Sequence, residues 1–200
     1  MTPQERRAIV AESKARGHVI HGRCIDLHPC ASEHEEAIVR LRNQAKSRYN
    51  LNQTEAFTID GHRAWYEGYV LRDNDIYWCI HDKSGGMIGL IRLNNIEPAG
   101  ASCNQGSFIV DEAFAMSGPY ALETEILTLD YAFFTLRIDR VYNDDRAENK
   151  NMNYISRRIG FRFVEAFERN GAMFNLYELT KDAYNRTELE RLLSIWKDHR

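Results

Sequence analysis

Apolar residues recur along this chain at two spacings, and the switches between them divide it into elements. From Gly118 to Leu136, the residues Leu122, Ile126, Leu129, Phe133 and Leu136 step by four, three, four and three, which predicts a long amphipathic helix. Met152, Ile155 and Ile159 predict a helix over 150–159, stopped by Gly160. Leu189, Leu192, Leu193 and Trp196 predict another over 187–197, whose stripe suits contact with a second copy of the chain (a homodimer) or cover for a sheet edge. Ser32 with Glu35 three residues on reads as a capping box for a helix to about Ala45. Thr58 reads as the N-cap of a helix carrying Trp65 and Tyr69. Residues 4–16 suit a short helix outside the core, and 48–55 a loop.

Shorter apolar or alternating runs predict strands at 18–28 (bent at Gly22), 76–81, 87–93, 106–111, 140–145, 161–167 and 173–179. Lys83-Ser84-Gly85-Gly86 and Arg169-Asn170-Gly171 have hairpin-turn chemistry. The order describes an α/β domain with a mixed sheet of six to seven strands over 18–182. An extension, 1–17, precedes it and a C-terminal helix, 183–200, follows.

Composition narrows the function classes. With 200 residues, 44% of them apolar and 28% charged, the chain can build one ordinary core. A net charge of −3 argues against a nucleic-acid partner, which needs a basic surface, but leaves room for a local basic pocket. No apolar run approaches the ~20 residues of a membrane helix, and the polar N-terminus predicts no secretory leader. Four cysteines without paired spacing predict a reduced, cytoplasmic protein and no metal site.

Two segments carry candidate chemistry. Ser107–Asp111 leads through a turn, Met116-Ser117-Gly118-Pro119-Tyr120-Ala121, directly into the longest helix. Amides at a helix start are unpaired and sit at the positive end of the dipole, a generic anion site. The second segment runs Arg140–Asp145, then Asn149 opening a helix that ends Arg157-Arg158-Ile159-Gly160-Phe161.

Taken with Tyr131-Ala132-Phe133, these segments resemble the GNAT N-acetyltransferase superfamily from about Cys24 to Thr180. Leu41-Arg42-Asn43, the stretch Phe57–Trp65, Tyr77–Ile80 and Ile88-Gly89 are similar to the branch acting on nucleotide-linked amino sugars, as in pseudaminic-acid-type pathways, and to ribosomal-protein N-terminal acetyltransferases. The resemblance implies a GNAT fold and acetyl-CoA as co-substrate. Backbone groups of Phe108, Ile109 and Val110 would hold the pantetheine arm, and the turn Met116–Ala121 the pyrophosphate. Asn149 and Arg158 would add cofactor contacts. Two departures stand out: the turn keeps one glycine of the family's pattern, and Ser156 occupies the place of a Tyr that often protonates the leaving thiolate.

Transfer to an amine needs the amine neutral, so a base is expected, and an acid for the thiolate. Tyr154 is the candidate acid. His81 and Glu97 are the leading candidate bases, with His28, Asp111 and Glu112 beside them. Arg42, Asn43, Arg48, Tyr49 and His62 suit a phosphorylated acceptor, because arginine forks match phosphate geometry. The expected activity is direct acetyl transfer to a primary amine on a small molecule, most simply a nucleotide-linked amino sugar. A protein N-terminal acetyltransferase and a non-catalytic acyl-CoA-binding module are the alternatives.

Overall fold

The computed structural model describes residues 1–115 and 118–197, with side chains to Ile195. Met116, Ser117 and the side chain of Trp196 lie outside the described residues. Among those described, eight strands form one mixed sheet in the order β1-β2-β3-β4-β5-β6-β8-β7. They are β1 (Ile20–His21), β2 (Ile25–Pro29), β3 (Ile76–Asp82), β4 (Met87–Asn94), β5 (Ser102–Val110), β6 (Arg140–Arg146), β7 (Arg162–Arg169) and β8 (Ala172–Thr180). The count exceeds the expected six to seven because 18–28 folds back on itself. Gly22 donates its amide to Ile25 O at 2.9 Å, and β1 pairs antiparallel with β2. All pairings are antiparallel except β5 with β6.

Helices cover both faces: α1 (Pro3–Glu12), α2 (Glu35–Asn43), α3 (Ala45–Asn50), α4 (Ile59–Val70), α5 (Tyr120–Asp130), α6 (Lys150–Ile159) and α7 (Arg186–Lys197). Strand alternation sorts the core accordingly. Trp78, Ile80, Ile91 and Val141 pack with Ile126 and Leu129 of α5, while Tyr77, Cys79, Leu90 and Ile109 pack with Ile38 and Leu41 of α2.

Local chemistry sets most boundaries. Thr58 Oγ1 accepts from Gly61 N at 3.1 Å and starts α4. Asn149 Oδ1 accepts from Met152 N and starts α6, and Gly160 ends it at φ +115. Thr2 and Glu5 form a reciprocal capping box that starts α1. That helix is not outside the core: Val10 is fully buried, and Arg6 donates to Leu136 O at 2.8 Å.

Three further expectations are corrected. Ser32 does not cap a helix; Ser32–His34 form a 3-10 turn, and His34 Nδ1 accepts from Ala31 N. The expected loop at 48–55 begins as α3, which runs to Asn50. The long helix becomes a π-helical turn over Tyr131–Thr135, with Leu136 N bonded to Tyr131 O. The stripe of α7 is not left unpaired within the protomer, since Leu189 and Leu193 are buried in the core.

Candidate active site

The parallel strands β5 and β6 stay in register only from Ser102/Arg140 to Gln105/Asn143. Beyond that point β5 follows β4, with Ile109 opposite Leu90, while β6 follows β8, with Asp145 opposite Asn175. The two strands therefore splay into a V. A bulge on β5 lies just past the vertex: Ser107 and Phe108 together oppose Ile91, and Ser107 has φ +51. The extra residue switches the facing of the strand, so that Cys103 before it and Phe108 after it both pack on the α5 side.

A cavity of about 500 Å³ occupies the V. Gly106–Val110 and Asn143–Arg146 form its strand walls, Ala121 and Glu125 of α5 with Asn149–Ile155 of α6 line one face, and Lys46–Leu51 of α3 the other. Because α5 and α3 lie on opposite faces, the cavity passes through the sheet. Asp111 N donates to Ile88 O on β4 at 2.7 Å. Alternation along the strand then turns the Phe108 and Val110 amides to the opposite edge, into the V. The first bond within α5 is Glu123 N to Pro119 O at 2.9 Å, so the amides of Tyr120, Ala121 and Leu122 have no acceptor inside the helix. Pro119 is the N-cap residue, one place earlier than N1.

The structure brings Phe108, Ile109, Val110, Ala121, Asn149 and Tyr154 to this cavity. Gly118, Pro119 and Tyr120 lead into the helix mouth beside it. Asn149 caps α6 and also lines the cavity. Tyr154 is 61% exposed. Met116 and Ser117 fall outside the described residues. Arg158 is not at the cavity; it pairs with Glu188 of α7, which Arg191 also engages. Ser156 is buried and donates to Asp145 at 2.7 Å.

Of the candidate bases, Glu97 lies in the turn before β5, its amide on Ser102 O, at the end of the strand away from the V. His81 is on β3, with β4 between it and β5, and its ring packs on His28 and His34 at 4.3 and 5.4 Å. Burial, with His81 close by, holds His28 and His34 below the usual imidazole value. Asp111 is engaged by Arg40, Gln44 and the Ala113 amide, which hold it below the usual carboxylate range against its burial. Glu112 lines the cavity and accepts from Lys46 N at 3.1 Å.

The acceptor candidates divide. Arg48 and Tyr49 line an open depression of about 400 Å³ that shares Arg146 with the cavity. Arg146 stacks 3.7 Å over the Tyr49 ring and donates to Tyr49 O. Asn43 exchanges two 2.8 Å bonds with the Phe57 backbone, and Arg42 lies 4.6 Å over the Phe57 ring, so both tie down a loop rather than face the cavity. His62 is buried against Trp65 and Phe57, and that burial lowers its pKa.

Sequence reasoning missed Glu125 and Asp145. Both are buried at the vertex, and burial raises both carboxyls, Glu125 to about 8 with the Asp145 charge adding to the rise. The signal was present: Glu125 is three residues after Leu122 and four before Leu129, on the edge of the apolar stripe.

The sequence profile of the acetyltransferase (GNAT) domain matches residues 25–162. Among curated proteins none matches the chain. Solved structures match throughout. A GCN5-related N-acetyltransferase from Brucella melitensis has 21% identity and a TM-score of 0.68, covering 92% of this chain and 86% of that one. FdhC in its apo form, a nucleotide-linked sugar GNAT, has 18% identity and a TM-score of 0.73, covering 87% and 96%. Spermidine N-acetyltransferase from Vibrio cholerae, in complex with CoA and spermine, has 18% identity and a TM-score of 0.74, covering 80% and 97%. At these identities the likeness is one of fold.

Proposed function

The chain belongs to the GNAT acetyltransferase family, whose members use acetyl-CoA, and on that premise we propose that it acetylates a primary amine carried on a phosphorylated small molecule, such as a nucleotide-linked amino sugar. The observation that carries the acceptor class is the continuity between the cavity in the V and the depression that holds Arg48 and Arg146. Two guanidinium groups beside the opening favour an anionic acceptor and disfavour a polyamine.

In this reading the diphosphate of acetyl-CoA meets the α5 mouth at Tyr120–Leu122, where amides without helical acceptors and the helix dipole favour negative charge. The tether runs beside Gly106–Val110 and takes hydrogen bonds from the amides turned into the V, as an added strand would. One such amide polarises the thioester carbonyl. The amine enters from the α3 side and attacks directly, with no covalent enzyme intermediate. Buried Cys30, Cys79 and Cys103 stand apart from the cavity, and burial raises the Cys79 and Cys103 thiols, so none is an activated nucleophile. A reaction drawing on acetyl-CoA supports a cytoplasmic location for the protein.

The test is thiol release from acetyl-CoA with nucleotide-linked amino sugars, spermidine and N-terminal peptides. Nucleotide-linked amines should turn over best. Arg48→Ala should raise their KM about tenfold, the scale of one charge-assisted hydrogen bond, and leave the KM of an uncharged amino sugar unchanged. Turnover of spermidine or peptides alone would overturn the acceptor assignment.

A further inference from the structure

Three buried polar atoms on the α5 side of the cavity, both amide atoms of Gln105 and Oε2 of Glu125, have no partner at full hydrogen-bond geometry, although the Gln105 amide lies close enough to the Glu125 carboxyl to favour its charged form. An unpaired buried polar atom is costly, about 1–3 kcal/mol, so a group of three beside a cavity marks a place that a bound molecule completes. Gln105 is the last residue of β5 in register with β6, which puts the group at the vertex of the V. Glu125 is 3% exposed and lies one helical turn, about 6 Å, beyond Ala121 at the helix mouth. A chain running from that mouth along Gly106–Val110 passes it. Asp145 shares this face of the sheet, with Ser156 and Asn143 donating to it. At neutral pH the raised Glu125 carboxyl keeps its proton and is an O–H donor in the cavity lining.

We propose that Glu125 is the acid that protonates the leaving sulfur, a role that rests on the acetyl-transfer reading above. The amine nitrogen attacks, the C–N bond forms and the C–S bond breaks with its electron pair on sulfur. That pair takes the proton of Glu125, the surplus proton on nitrogen leaves to water, and water returns one to the Glu125 carboxylate. An alkyl thiol has a pKa of about 8.5, so a carboxyl near 8 is matched to it. Ser156 has no such role, being turned to Asp145. The charged or titratable groups facing this region are Asp144, Asp145 and Arg146 on β6, Tyr184 after β8, Tyr154 on α6, Lys46 on α3 and Glu112.

The pH profile of kcat tests it, with thiol release as readout. The wild type should lose rate as pH rises through about 8. Glu125→Gln should lower kcat about 10²-fold, abolish that alkaline limb and leave the KM for acetyl-CoA within threefold. Asp145→Asn should move the limb to lower pH, because losing the neighbouring negative charge lets Glu125 ionise more easily. A limb unchanged in Glu125→Gln overturns the proposal, as does a limb that vanishes instead in Tyr154→Phe. Infrared spectroscopy adds a check without turnover: a protonated-carboxyl stretch at pH 7, present in the wild type and lost in Glu125→Gln. Its absence from the wild type also overturns the proposal. No thiol release with any amine, despite calorimetric binding of acetyl-CoA, overturns both the acid role and the catalytic reading; failure to bind acetyl-CoA overturns the site itself.

Discussion

Glu123 joins the helix that opens on the cavity to the far edge of the sheet. Its carboxylate accepts from Arg23 N at 2.5 Å, Cys24 N at 2.7 Å and Ile25 N at 3.1 Å, and the side chain is 3% exposed. Glu123→Ala removes the carboxylate acceptor of all three of these amides at once. A hydrogen bond to a charged group contributes about 1.5–3 kcal/mol. Three that share one carboxylate do not add fully, so the loss should be about 4 kcal/mol, a large part of a typical 5–15 kcal/mol stability. Glu123→Gln keeps the shape and one acceptor oxygen but turns an NH₂ toward a donor, and should cost about 2 kcal/mol. Equilibrium unfolding in urea at pH 7 measures both, with hydrogen exchange at residues 23–25 reporting the turn itself. A Glu123→Ala protein within 1 kcal/mol of wild type, with those amides still protected, would refute the account.

Gly160→Ala places a Cβ 2.3 Å from Ala183 O at a φ of +115, and thermal melting should show a loss of about 2 kcal/mol or more. His28 and His34 hold pKa values below the unfolded value of about 6.5, so the unfolded chain binds more protons. Stability is then fully present above that value and falls as pH drops below it; the fall in Tm between pH 7 and 5 should shrink in His34→Gln, and an equal fall would count against the histidine cluster. Gly118→Val crowds the Tyr120 ring, 2.9 Å from the new Cβ, at the start of α5. The apparent KM for acetyl-CoA should rise about tenfold, and an unchanged value would remove this turn from the site.

What the sequence disclosed is what neighbours along the chain decide. The helix at 150–159 has the predicted ends because Asn149 and Gly160 terminate it locally. The hairpins at Lys83–Gly86 and Asn170-Gly171 follow from glycines at positive φ. What stayed hidden depends on distant partners. Nothing in Ala45–Asn50 has an apolar period, and the sequence around α3 is held by Asn43 on Phe57 and Arg146 on Tyr49. Arg158 looks available until α7 brings Glu188 against it. His62 looks like a polar surface residue because a buried, unpartnered imidazole leaves no mark in the sequence. Glu125 is hidden for a similar reason: a carboxyl at the margin of an apolar stripe has the sequence signature of a solvent-facing residue.

The bulge at Ser107–Phe108 gives β5 one residue more than β4 sets opposite it. Exchanging Ser107 alters one residue at a left-handed position. Deleting it leaves Phe108 opposite Ile91 and Ile109 opposite Leu90, facing as before, but removes the bulge and aligns the strand with β4 along its whole length. Drift can therefore rewrite which side chains border the V far more freely than it can change how many residues the strand spends there.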